Sequence, residues 1–180
     1  MSWKVRGVKQ IYENQFMKLE EDAITTAYGD EVLYSIVRKK PCALVIPWNG
    51  ERFILEKLYR FSIREYSWEF PCGHFQGSSV EETAINELKE EAGITAKKIK
   101  KIGVFHPANG FLDQECHAFL ATELSYGQMS RDKSEKGMII KKFTADEVEK
   151  MILDGKIRDG LTISAYTLLK LNKKLELADR

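Results

Sequence analysis

Apolar and polar positions fall into two regimes along this chain. Up to about residue 70 the apolar residues come in short, β-branched or aromatic runs: Ala23 to Ala27, Glu31 to Arg38 (EVLYSIVR), Cys42 to Ile46 and Phe53 to Leu58. Runs of this length and composition read as strands. Turn chemistry separates them at Tyr28-Gly29-Asp30 and Asn49-Gly50, and the second pair predicts a β-hairpin between Cys42–Ile46 and Phe53–Leu58. From Val80 to Ala92 the spacing becomes helical, with Ala84, Ile85, Leu88 and Ala92 forming one apolar face. Ser79 followed by Glu82 predicts a capping box at its start, and Gly93 predicts its end. The Gly-containing stretch Pro71 to Ser79 is read as the loop feeding that helix. Strands are predicted again at Ile99–His106, Cys116–Leu124 and Gly137–Phe143. Helices are predicted at Ala145–Leu153 and at Leu161–Leu175, the latter on the spacing of Ile163, Ala165, Leu168, Leu169 and Leu171. Many strands, one interior helix and a helical tail define an α+β class.

Composition narrows the picture modestly. The chain has 180 residues, which suggests one domain, with two small ones as the alternative. Lys and Arg number 28 against 27 Asp and Glu, so no global charge draws the protein to nucleic acid or anionic lipid. No repeat or low-complexity tract is present, and 43% apolar residues exclude a disordered chain. No stretch approaches a membrane span, and MSWKVRGVKQ lacks a secretory core. Cys42, Cys72 and Cys116 are odd in number, far apart and without CxxC spacing, so neither a zinc site nor a disulfide framework is expected, and a cytoplasmic location fits. The three histidines have no metal-like spacing.

The chemistry is concentrated on the predicted helix. Five of the eleven residues from Glu81 to Glu91 are acidic, with only Lys89 opposing them. Glu87, Glu90 and Glu91 stand at i, i+3 and i+4 and so share a face, beside the apolar stripe and at the rim of a cleft. Like charges held together at a partly buried place call for a counter-charge, which a hard divalent cation supplies. A solvated acidic face is an equal account of the helix alone. The loop ahead of it, with Gly73 and Gly77, shifts the balance, because such a loop brings backbone carbonyls and phosphates close to the carboxylates.

The stretch GHFQGSSVEETAINELKEEAGI, Gly73 to Ile94, resembles the box of the Nudix hydrolases, G-x5-E-x7-R-E-U-x-E-E-x-G-U, with U apolar. Glu87, Leu88, Glu90, Glu91, Gly93 and Ile94 take the pattern's second half. The first half departs from it. Asn86 stands for the box arginine, the loop is one residue short, and the early glutamate falls on Ser78. The flanking segments resemble the ADP-ribose pyrophosphatase branch: Leu58-Tyr59-Arg60, Glu69-Phe70-Pro71-Cys72-Gly73, Pro107 to Glu115 with Asn109 for a family proline, and Gly155 to Thr162.

This resemblance implies a Nudix fold, a mixed β-sheet sandwiched between helices, in residues 41–180, with an N-terminal antiparallel β extension over residues 1–40 that serves dimerisation. It implies Mg2+ (or Mn2+) held by Glu87, Glu90, Glu91 and the Cys72 carbonyl. A general base is expected on the loop Ser125 to Lys136, with Asp132 and Glu135 as candidates. Arg60, Glu69, Gly73 and Glu115 are implied substrate contacts, with Gln114 the alternative to Glu115. Tyr59, Phe61, Tyr66, Trp68 and Phe70 offer stacking surface, although most are expected in the core. The implied activity is hydrolysis of the diphosphate of a nucleoside diphosphate sugar, ADP-ribose first, by a homodimer with no nucleic-acid or membrane partner. Two other readings stand beside it. Asn86 and the short loop suggest a catalytically weak nucleotide- or sugar-binding module, and the lysine run Lys97 to Lys101 suggests an RNA-binding role.

Overall fold

The computed structural model describes residues 2–75, 77–130 and 137–178. Its elements are β1 (Lys4–Glu13), β2 (Lys18–Thr25), β3 (Glu31–Arg38), β4 (Cys42–Pro47), β5 (Phe53–Arg60), β6 (Glu65–Glu69), β7 (Cys72–His74), α1 (Val80–Ala92), β8 (Ile94–Phe105), β9 (Cys116–Tyr126), β10 (Ile139–Phe143), α2 (Ala145–Leu153) and α3 (Gly160–Ala178). They form two compact units. One holds the residues up to Pro41 together with His106–Glu115. The other holds Cys42–Phe105 and the chain from Cys116 onward.

The first unit is an antiparallel meander in the order β1-β2-β3. Its polarity is inverted relative to an ordinary strand. Glu20 and Asp22 lie on the buried side of β2 with Ile24, and both are met by Arg38 of β3, at 2.8 Å and 3.3 Å. Arg38 also reaches Asp113 at 3.4 Å, and the 106–115 segment is stitched to β3 by Val37 N–H to Phe111 O at 2.7 Å. Buried carboxylates are tolerated only with such pairing. The Glu20 contact accordingly holds the Arg38 guanidinium above its ordinary pKa. β1 is exposed along its whole length.

The second unit is built on two sheets. One is mixed, in the order β7-β4-β9-β8, with β4 and β9 parallel; the other runs β10-β5-β6. The hairpin expected at Asn49-Gly50 is not formed. β4 and β5 belong to different sheets, and their only strand pairing is a single bridge between Trp48 and Phe53. The turn itself is as read, with Gly50 at φ +100 and Asn49 Oδ1 accepting from the Glu51 and Arg52 amides. Both flanking strands are buried through most of their length, so each needs cover on two faces. The turn therefore steps the chain from one layer to the next instead of pairing its arms.

Alternation along β4 sorts the core. Leu44 and Ile46 pack with Phe53, Leu55 and Phe70, with Val148 and Met151 of α2, and with Ala165, Tyr166 and Leu169 of α3. Ala43 and Val45 pack on the other side with Ala84, Leu88 and Ala92 of α1. The mixed sheet is thus covered by α1 on one face and by α3 on the other. The lysine run lies on edge strand β8 with Lys97, Lys98, Lys100 and Lys101 exposed. No helix among the described residues is long and apolar enough to cross a membrane.

Candidate active site

The site begins where β7 runs into α1. Helix α1 starts and stops where its sequence dictates. Ser79 Oγ accepts from the Glu82 amide at 3.0 Å, and Gly93 ends the helix at φ 64. Glu82 does not close the expected reciprocal box. Its carboxylate turns back one residue further and accepts from the Ser78 amide at 2.9 Å. The Ser78 hydroxyl, which donates to the same oxygen at 2.5 Å, and then the amide hold the Glu82 carboxyl below its ordinary pKa. Ser78, the position of the early box glutamate, is therefore part of the loop's closure.

The box carboxylates are graded in exposure. Glu91 is buried at 5% and Glu87 is half-buried, whereas Glu90 and Asn86 are exposed. The buried face is centred on Ala84, Leu88, Glu91 and Ala92 and takes in Thr83. Ile85 lies outside it, 42% exposed. The apolar face read from sequence is thus rotated toward the carboxylates, and Glu91 sits within it rather than at its rim.

Glu87 explains the glycine ahead of the helix. A Cβ placed on Gly73 would stand 1.8 Å from Glu87 Oε1 and 1.9 Å from its carboxylate carbon. Gly73 is not at positive φ, so the requirement is space alone. β7, read from sequence as loop, supplies that register by pairing with β4: Ala43 opposite Gly73 and Leu44 opposite Cys72. Three residues cannot announce a strand by periodicity.

The far end of α1 is also fastened. The Ser130 amide donates to Glu90 O at 3.0 Å and the Gly127 amide to Gly93 O at 2.7 Å. The loop read as the carrier of the general base therefore leaves β9 from the end of the carboxylate helix. Asp132 and Glu135 themselves lie outside the described residues.

A second group of the expected residues lies in a cleft of about 550 Å³. Arg60 at the end of β5 forms a two-point ion pair with buried Glu69 of β6, at 3.0 Å and 2.6 Å. This pair holds the guanidinium above its ordinary pKa. Tyr66, Lys156, Arg158 and Asp159 line the same cleft. Asp159 accepts from the Thr162 amide at 2.7 Å, and Thr162 Oγ1 accepts from the Phe70 amide at 3.0 Å, so the chain after β6 is anchored to the start of α3. Burial, then the charge of Glu69, raises the Asp159 carboxyl above its ordinary pKa. Glu56, fully buried opposite Glu69 on β5, and Asp159 carry no signature in sequence beyond the resemblance of the Gly155–Thr162 segment. Of the five aromatics, Tyr59, Phe61 and Tyr66 are exposed, contrary to expectation, because they sit at the outer end of the β5–β6 pair, where β6 is an edge strand. Trp68 is half-buried and Phe70 buried. Glu115 is exposed and belongs to the other compact unit; Gln114 beside it is buried and donates to Lys40 O at 2.7 Å.

The structure also gathers what the sequence kept apart. Cys42 and Cys116 stand opposite each other on parallel β4 and β9, and Cys72 of β7 lies two positions along on the same face. The three thiols lie within 4.8 Å of one another. The separation in sequence that argued against a sulfur cluster is erased by strand pairing. The Cys116 and Cys42 thiols, then burial, push Cys72 well above the ordinary thiol pKa, and the Cys42 thiol together with burial raises Cys116. Among the described residues the box carboxylates form no comparably tight group.

A glycine emptied for a glutamate, followed by a helix carrying three carboxylates on a mixed sheet between helices, is the Nudix arrangement. The NUDIX domain model matches residues 38–160, and the chain belongs to that family as a Nudix hydrolase. It is 29% identical over 176 residues to the ADP-ribose pyrophosphatase of Bacillus subtilis (strain 168), covering 96% of this chain and 95% of that one. It is 26% identical, over the same shares of both chains, to the methanol dehydrogenase activator of Bacillus methanolicus. A solved structure described as an ADP compounds hydrolase superposes with a TM-score of 0.86 at 18% identity, covering 98% of this chain and 96% of that one, which shows the shared fold.

Proposed function

We propose that this protein hydrolyses the diphosphate bond of a nucleoside diphosphate sugar, with ADP-ribose the leading substrate, in a divalent-cation-dependent reaction that uses Mg2+. The observation that carries the reading is the fit of Glu87 against Gly73 beside buried Glu91. The likeness to the Bacillus subtilis ADP-ribose pyrophosphatase along nearly the full length of both chains supports the substrate.

The donor set suits a hard cation: carboxylate oxygens from Glu87, Glu90 and Glu91 and the carbonyl of Cys72, all oxygen. Bound there, a divalent cation neutralises diphosphate charge and activates water. The protein's own part is positioning, which phosphoryl chemistry needs most. Gly73 leaves room for Glu87 to lie on the β7 backbone. The Ser79 cap and the Gly93 stop fix the helix, so that the carboxylates keep one register. Arg60, held by Glu69, presents a cation in the neighbouring cleft where the nucleoside or sugar end of the substrate binds. Glu115 is a further substrate contact, and the 125–136 loop, with Glu135 foremost, delivers the base.

Exposed Asn86 in place of the box arginine favours one alternative, a Nudix-fold module that binds nucleotide or sugar with little turnover. Incubation of the protein with ADP-ribose and other nucleotide sugars, with and without Mg2+ or Mn2+, separates the two. Release of AMP and a sugar phosphate only with the cation supports hydrolysis. Tight binding with no product supports the module.

Residues 1–40 are proposed as a dimerisation element of a cytoplasmic homodimer. The N-terminal segment supports this, since Val5, Val8 and Ile11 of β1 and Trp3 just before it are exposed. Sedimentation of the full chain against one with Val5→Glu and Val8→Glu tests it; an unchanged monomer mass for both rejects the dimer.

A further inference from the structure

The three-thiol cluster lies on the face of the mixed sheet opposite α1. Gly73 opens toward Glu87 of α1, whereas Cys72 packs with the α3-side core, as do Cys42 and Cys116. One residue step along β7 thus separates the face that meets the Glu87 carboxylate from the face that carries the Cys72 thiol. We propose that Cys42, Cys72 and Cys116 form a binding site for a single thiophilic d10 cation such as Zn2+ or Cu+, distinct from the oxygen site on α1.

Buried cysteines commonly act as small apolar residues. Three arriving from three strands and aimed at a common point exceed what packing needs. The spacing fits an ion. Zinc–sulfur bonds of about 2.3 Å place three sulfurs roughly 3.7–4.0 Å apart. The thiols already lie within 4.8 Å of one another, so small side-chain rotations close the site. Soft donors select soft ions, and Mg2+ has no affinity for such a set. Cys42 and Cys116 are 3% and 0% exposed, which keeps the site shielded from water, and Cys72 is the least buried of the three residues. On binding, the cation displaces one proton from each thiol that ligates it; no electron is transferred.

The test uses the full chain, reduced and saturated with Mg2+ so that the carboxylates are occupied. Titration with Cd2+ is followed by ultraviolet sulfur-to-cadmium charge-transfer absorption, and Zn2+ is then added as competitor. One ion per chain, a band of three-thiolate intensity and displacement by Zn2+ are expected. Cys72→Ala, at the least buried of the three residues, should weaken Cd2+ affinity on the order of 100-fold or more. X-ray absorption of the wild-type cadmium complex should show three sulfur neighbours, a readout that needs no variant to fold. Coordination by oxygen alone, absence of the charge-transfer band, or an undiminished band in Cys72→Ala would each overturn the site.

Discussion

Gly73→Ala is the sharpest probe of the carboxylate site, because it adds one methyl group where the structure has no room. The new Cβ would stand 1.8 Å from Glu87 Oε1, 1.9 Å from Cδ and 2.3 Å from Cγ. Ordinary contact begins near 3.4 Å, so the Glu87 carboxylate must retreat by 3.4 − 1.8, or 1.6 Å. The atoms that yield are the end of a half-buried, flexible side chain, and Gly73 is not at a φ that alanine resists. Stability should therefore hold, since such a glycine-to-alanine change alters it by about 1 kcal/mol or less, often favourably. Catalysis should not. A displacement of about 1 Å can cost roughly a hundredfold in rate, equivalent to about 2.7 kcal/mol of transition-state stabilisation. The assay is the initial rate of ADP-ribose hydrolysis with Mg2+, alongside thermal unfolding by circular dichroism. The loss should be on the order of 100-fold with the melting temperature nearly unchanged. The effect should also vanish in a Glu87→Gln background, since both changes act through one carboxylate. A Gly73→Ala enzyme at full rate, or an additive double variant, would refute the role assigned to Glu87.

Glu91→Gln keeps shape while removing the buried charge; hydrolysis should fall on the order of 100-fold or more with little change in melting temperature, and a retained rate would remove Glu91 from the cation site. Asn86→Arg should raise kcat by restoring a guanidinium beside the carboxylates, and an unchanged kcat would show that the box arginine is dispensable in this chain. Arg60→Ala leaves Glu69 buried without its partner. Its cost by urea unfolding should be about 1–3 kcal/mol, below the 3–5 of a fully buried pair because Arg60 is 41% exposed, and KM should rise; equal stability and KM would make the pair a surface contact. Asp159 has a folded-state pKa above its ordinary value, so the native state holds its proton the more tightly. Its contribution is greatest below about pH 4 and is lost as pH rises through the folded pKa. Asp159→Asn should therefore flatten the loss of stability above about pH 4, measured by unfolding across pH; an unaltered profile would show that its burial has no energetic consequence.

The sequence was legible where local rules decide the structure. The α1 boundaries follow from Ser79 and Gly93, whose capping chemistry acts within a few residues. Ala145–Leu153 follows likewise from Thr144 and Glu147, which form the full reciprocal box at α2. Failures came where distant pairing decides. β2 turns Glu20 and Asp22 inward because Arg38 waits on the next strand, so its hydrophobic pattern is reversed. Asn49-Gly50 makes its turn, but burial on both faces sends β4 and β5 into separate sheets. Glu91 reads as a rim residue because no wheel shows which neighbours will cover it. The thiols illustrate the same point: registers across three strands brought together residues that stand 30 and 44 positions apart (72 − 42 and 116 − 72).

The two backbone bonds at the end of α1, from Ser130 to Glu90 O and from Gly127 to Gly93 O, have a consequence for the base proposed on the following loop. They fasten the root of that loop to the helix that carries Glu87, Glu90 and Glu91. A base carried there would share one frame of reference with the carboxylates, so a change that loosens the end of the helix would displace both together.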